Sequence, residues 1–201
     1  MNHSIRKLLL GGVAALATFP AFAGDVTPDR LANADKEPHN WLMNHRTYDA
    51  QRYSPLARIN KDNVKSLKLA YAVAIGGTSA NENLQATPLA EDGFLYVVDQ
   101  WGVVYKIDAR SGEMGRIVWR MDPGQEKLPL SNRGAALWGN LVLSTANYPA
   151  RVIATDTENG KVVWETKEKH YDLVVVDASA TGHVVAQLSA PQAIGELVKV
   201  G

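Results

Sequence analysis

Asp108 and Asp156 stand 48 residues apart, and a matched pair of carboxylates is standard equipment for general acid–base chemistry. Their surroundings argue for another role. Each is followed four residues later by a glycine, Gly112 or Gly160, and then by Val118-Trp119 or Val163-Trp164. Asp bonds its own backbone and Gly accepts a positive φ, so Asp-x-x-x-Gly is turn chemistry, and the two carboxylates belong to equivalent turns rather than to one acid–base pair. His39 and His45 sit among polar residues and read as surface or hydrogen-bonding groups, while His3 lies in the leader described below. The absence of cysteine excludes disulfides, thiolate metal sites, covalent haem attachment and a lipid-bearing N-terminal Cys. No Gly-x-x-x-x-Gly-Lys-Ser/Thr loop is present to cradle phosphates. Lys+Arg and Asp+Glu balance at 21 each, without a long basic run, so no nucleic-acid footprint is expected.

The elements that hold these turns are repeated. Gly93 to Val98 leads through Val103 to Asp108, Gly112 and Trp119; Gly139 to Leu143 leads through Arg151 to Asp156, Gly160 and Trp164. A period of 40 to 50 residues with several short strands per unit is the pattern of β-propeller blades. One such sheet cannot bury both faces alone, so successive four-stranded sheets stack, and the Trp of each unit is expected to fill the gap to the next.

Residues 1–23 read as a secretory signal peptide. Arg6 and Lys7 precede the apolar stretch Leu8 to Phe19, which is followed by Ala21-Phe22-Ala23. The apolar stretch is too short for a comfortable membrane span, and nothing later approaches one. This predicts export to the periplasm and a mature chain beginning near Gly24. Thr27-Pro28 opens a short capped helix.

Further along, Asn40-Trp41-Leu42-Met43, Tyr48 to Leu56, Ile59 to Lys65 and Leu67 to Val73 occur in order. Gln85-Ala86-Thr87-Pro88-Leu89, Asp92 to Tyr96, Val104 to Asp108, Ile117-Val118-Trp119 and Asn132-Arg133-Gly134 follow. Together these segments resemble the opening of the pyrroloquinoline quinone (PQQ)-dependent alcohol dehydrogenases of the methanol and ethanol dehydrogenase type. The resemblance runs from Asn40 to Trp164. It implies an all-β fold, the first blades of an eight-bladed quinoprotein propeller, left incomplete by this sequence. It also implies oxidation of a small primary alcohol by hydride transfer to PQQ, with a calcium or lanthanide ion polarising the quinone, a carboxylate base, and a periplasmic electron acceptor such as a cytochrome c. By the same resemblance Arg133 meets a cofactor carboxylate, a task that suits a planar guanidinium fork, and Gln85, where many relatives carry Glu, is a second cofactor contact.

This sequence departs from the family in two places. Many members carry adjacent cysteines five and six residues before the Arg of Asn-Arg-Gly, where Lys127 and Leu128 stand here. The metal-ligating Glu and Asn and the catalytic Asp of the family belong to later blades that this sequence does not reach. The resemblance therefore implies an N-terminal fragment, inactive alone.

Beyond the connector Lys167-Glu168-Lys169 the character of the sequence changes. Tyr171 to Asp177 is a Val-rich strand, followed by a loop through Thr181-Gly182-His183 and a helix-like stretch from Val184. The segment resembles the switch region of arsenite-pump and tail-anchored-protein-targeting ATPases, which makes Asp177, Thr181, Gly182 and His183 the switch positions. Without a phosphate loop it cannot hydrolyse ATP. The expected organisation is a signal peptide over 1–23, quinoprotein blades over 24–168, and a short foreign β-α tail over 169–201. The alternatives are a diverged third blade in place of that tail and, for the whole chain, a non-catalytic binding or scaffold propeller of the cell envelope. Retention of a quinone by the purified protein separates the dehydrogenase from the scaffold.

Overall fold

A computed structural model describes residues 24–76, 84–110, 112, 114–125, 132–147 and 149–166. The leader over 1–23, the tail with Asp177, Thr181, Gly182 and His183, and Lys127 and Leu128 lie outside the described residues.

Two four-stranded antiparallel sheets follow each other along the chain. The first is a meander of β1 (Leu89–Glu91), β2 (Phe94–Val98), β3 (Val104–Asp108) and β4 (Arg116–Met121). The second repeats it with β5 (Ala136–Trp138), β6 (Leu141–Asn147), β7 (Ala150–Asp156) and β8 (Val162–Glu165). The registers are equivalent: Phe94 opposes Asp108 as Leu141 opposes Asp156, and Lys106 opposes Trp119 as Ala154 opposes Trp164. Even the irregularity recurs, with the pairing slipping after Lys106 in one sheet and after Ala154 in the other. Such a bulge adds local twist, and its repetition marks it as part of the unit.

Side chains alternate between the two faces of a strand, which explains how the sheets divide their apolar residues. Phe94, Tyr96, Val104, Trp119 and Met121 of the first sheet join Leu137, Val142, Ala146 and Ile153 of the second in one core. The other face of the first sheet, with Val97, Tyr105 and Ile107, packs under Val73 and Ile75 of the preceding segment. In that segment half-buried Tyr71, Val73 and Ile75 alternate with exposed Ala72, Ala74 and Gly76. The joint between sheets is also polar. Trp119 Nε1–H and the Lys106 ammonium both donate to the Thr157 carbonyl, at 2.9 and 2.8 Å. Lys106 also lies over the Phe94 ring, 4.2 Å from its centroid.

An N-terminal strap ties the sheets together from outside. Val26 bridges to Gly139 beside β5, and Trp41 to Ala90 in β1. Between them lies α1 (Pro28–Ala32), capped by Thr27, whose side chain accepts from Arg30 N–H. Arg30 buckles the strap, donating to Glu37 and to Glu91, the latter at 2.8 Å.

Candidate functional site

The first strands of the two sheets, β1 and β5, are led in by segments that run side by side. A Cβ built on Gly134 would lie 3.5 Å from the Thr87 carbonyl oxygen and 3.8 Å from the Ala86 Cβ. This brings together the two residues singled out in the sequence: Arg133 Nη1 donates to Gln85 Oε1, and both side chains are exposed. Neither belongs to a strand; each precedes the first strand of its sheet. Their separation of 48 residues equals the repeat period read from Asp108 and Asp156. That spacing is the signal in the sequence that announces the contact.

What aims Arg133 outward is local. Asn132 is buried, its Oδ1 accepts from Gly134 N–H at 2.9 Å, and its Nδ2 donates to the Thr145 carbonyl in β6 at 3.2 Å. The first bond closes an Asx turn with Arg133 at its apex. A second turn packs beside it. Asp99, buried at the end of β2, accepts from Trp101 and Val103 N–H through one carboxylate oxygen and from the Tyr105 hydroxyl through the other. Burial pushes the Asp99 carboxyl up, against the opposing pull of those donors. Tyr105 in turn accepts from Gly76 N–H, so the segment covering the first sheet is tied to the same end of the structure.

The rest of the candidate chemistry is dispersed. Asp108 is fully buried in its turn and held by Arg110, whose guanidinium fork reaches it at 2.9 and 2.6 Å. That hydrogen-bonding holds its carboxyl below the usual range. Asp156 accepts from the Glu158 and Asn159 N–H groups of the equivalent turn. Both aspartates lie at the end of their sheets opposite to Arg133 and shape turns. His45 is buried and accepts from Arg52 Nε at 2.8 Å, whereas His39 is exposed, 3.8 Å from Asp92. Among the described residues no three His, Cys, Asp or Glu side chains converge in a metal-binding group.

The chemistry available at Arg133 is anion recognition. Among the described residues the guanidinium spends one nitrogen on a neutral amide, and Arg133 is exposed beside Gln85, whose own amide nitrogen is a donor. This donor set fits a carboxylate-bearing planar ligand such as PQQ. The metal has no such fit among the described side chains.

Residues 41–144 match the family model described as the glucose/ethanol/alcohol dehydrogenase β-propeller domain of PQQ type. The chain is 35% identical over 179 residues to the quinohemoprotein alcohol dehydrogenase ADH-IIG of Pseudomonas putida, covering 83% of this chain and 24% of that protein. The solved structure of ADHIIG from Pseudomonas putida HK5 is similar with a TM-score of 0.63 at 34% identity, over 75% of this chain and 22% of that one. A europium-containing methanol dehydrogenase is similar with a TM-score of 0.56 at 27% identity, over 69% of this chain and 25% of that one. The chain thus spans about a quarter of the length of these relatives.

Proposed function

The chain belongs to the PQQ-type alcohol dehydrogenase β-propeller family, and on that premise we propose that its two described blades form one side of a PQQ pocket in a quinone-dependent alcohol dehydrogenase. Arg133 holds a cofactor carboxylate and Gln85 donates beside it. The observation that supports this reading is the Arg133–Gln85 pair, which sets an exposed guanidinium where two neighbouring sheets begin. PQQ, when bound, accepts a hydride from a small alcohol. The part played by these blades is to bind and orient it, through a charge-assisted contact from Arg133 and a neutral one from Gln85. In this reading the base and the calcium or lanthanide ion are supplied by later blades, and a periplasmic partner such as a cytochrome c accepts the electrons. We further read residues 1–23 as an export signal that delivers the protein to the periplasm, and residues 169–201 as a tail foreign to the propeller.

Titration of the chain from Gly24 with PQQ, followed by quenching of tryptophan fluorescence, tests the reading. The expected result is saturable binding weakened about a hundredfold in Arg133→Ala, the loss of a charge-assisted pair, and less in Arg133→Lys. Equal binding by wild type and Arg133→Ala would remove Arg133 from the pocket. The absence of saturable binding by the wild-type chain would favour the scaffold propeller.

A further inference from the structure

We infer that Asn132 is a positioning residue for Arg133, and that it acts by locking the arginine's turn to β6 of its own blade, against the β2–β3 loop of the first. The inference deepens the quinone reading and rests on it for its functional meaning, while its structural content stands without the cofactor.

Three observations support it. Asn132 is only 4% exposed although its neighbour Arg133 is exposed, so burial changes abruptly across one peptide bond. The buried amide has a partner on each side: its oxygen takes Gly134 N–H at 2.9 Å, and its nitrogen gives to the Thr145 carbonyl at 3.2 Å. The first bond fixes the backbone on both sides of Arg133; the second anchors that turn to β6. Finally, Gly102 of the first blade closes over the same spot. A Cβ there would lie 3.0 Å from the Thr145 oxygen and 3.7 Å from the Asn132 Nδ2, and the backbone is at φ +77°. The β2–β3 loop therefore approaches the Asn132–Thr145 bond as closely as a residue without a side chain allows.

The physical consequence concerns entropy. A free arginine on a surface turn loses most of its rotamer freedom when it grips a ligand, and that loss opposes binding. A turn anchored to β6 and packed against the first blade, with Gln85 already engaging the guanidinium, removes part of that loss before binding. Asn132 need not touch the ligand to raise its affinity.

Two measurements on the chain from Gly24 separate this inference from the quinone reading. The first is the NMR order parameter of the Arg133 Nε–Hε vector without cofactor, in wild type, Asn132→Ala and Asn132→Ser, each checked for folding by circular dichroism. Serine retains an acceptor for Gly134 N–H, more weakly, and is the variant to rely on if Asn132→Ala does not fold. The expected order is wild type most rigid, then Ser, then Ala. An Arg133 vector equally ordered in wild type and in a folded Asn132 variant would overturn the inference, whatever PQQ does. The second is PQQ affinity, expected to fall about tenfold in Asn132→Ala, while Arg133→Ala falls further and Asn132→Ala adds nothing to it in the double variant. Additive losses would overturn the claim that Asn132 acts through Arg133. Loss of Arg133 order in the Asn132 variants with no Arg133 dependence of binding would leave the positioning intact and sink the quinone reading.

Discussion

The two sheets are built on one repeat with one register, yet they live in different surroundings. In the first, Phe94, Tyr96, Lys106 and Trp119 form the face turned toward the second sheet, and all four are buried, Trp119 to 9%. Their counterparts in the second are Leu141, Leu143, Ala154 and Trp164, of which only the small Ala154 is buried. On the last strand of the second sheet Val162 and Val163 are exposed at 48% and 57%. The repeat determines where an apolar side chain points. A neighbouring sheet determines whether pointing there buries it.

The largest expected consequence is that the same substitution has different costs in the two copies. Trp119→Ala removes a buried indole, its bond to Thr157 and its contact with Tyr96, whose ring centroid is 6.2 Å away. It should destabilise the chain from Gly24 by about 3–5 kcal/mol in urea unfolding. Trp164→Ala, on a half-buried ring, should cost about 1 kcal/mol. Equal losses would mean that the face of the second sheet is covered in solution as fully as that of the first.

The turns under these tryptophans give a smaller, sharper version of the comparison. A Cβ on Gly160 would meet the Trp119 ring at 2.8 Å, while one on Gly112 would meet nothing within 4 Å among the described residues. Both glycines have positive φ, +72° and +90°, so alanine brings backbone strain of about 1–2 kcal/mol at either site. Only Gly160→Ala adds overpacking against a ring that cannot move, a further cost of about 1–3 kcal/mol. Thermal melts of the two variants should therefore separate; coincident melting temperatures would show that the inter-sheet joint opens to relieve the contact.

How far the sequence announced this depends on the range of the interaction. The repeated Asp-x-x-x-Gly and Val-Trp were legible because each is local chemistry, a turn followed by a strand. The Trp119 site between sheets followed from the stacking that such repeats require. Edge strand β5 carried little signal, since Ala136-Leu137-Trp138 is short and its pairing is supplied by β6. Gln85 and Arg133 were picked out by resemblance, and their mutual contact was present only as the 48-residue spacing. The Arg30–Glu91 pair could not be read at all. It joins residues 61 apart, and one of them, Arg30, lies in the strap, outside the repeat.

That pair makes the final contrast between the sheets. Where the second sheet places Trp138 opposite Leu141, the first places Glu91 opposite Phe94, 1% exposed. Burial pushes the Glu91 carboxyl up to about 7, because Arg30 gives its closest attention to Glu37 and offers Glu91 a single bond. Asp92 raises it further, and Lys106 pulls the other way. A carboxyl whose folded value lies above its unfolded value of 4.5 favours folding fully below that value, and the contribution is lost as pH rises through about 7. Asp108 has the opposite sign: its depressed value contributes stability above 3.8 that is lost as pH falls through the folded value. The chain should thus be most stable in the mildly acidic range. Glu91→Gln should leave the acid limb unchanged and remove the decline between about pH 4.5 and 7, a relative gain of about 3 kcal/mol at neutral pH. Urea titrations of the two proteins at pH 4.5 and 7.5 measure that difference. If their stabilities run parallel across the range, Glu91 stays ionised in the folded chain and Arg30 offsets its burial.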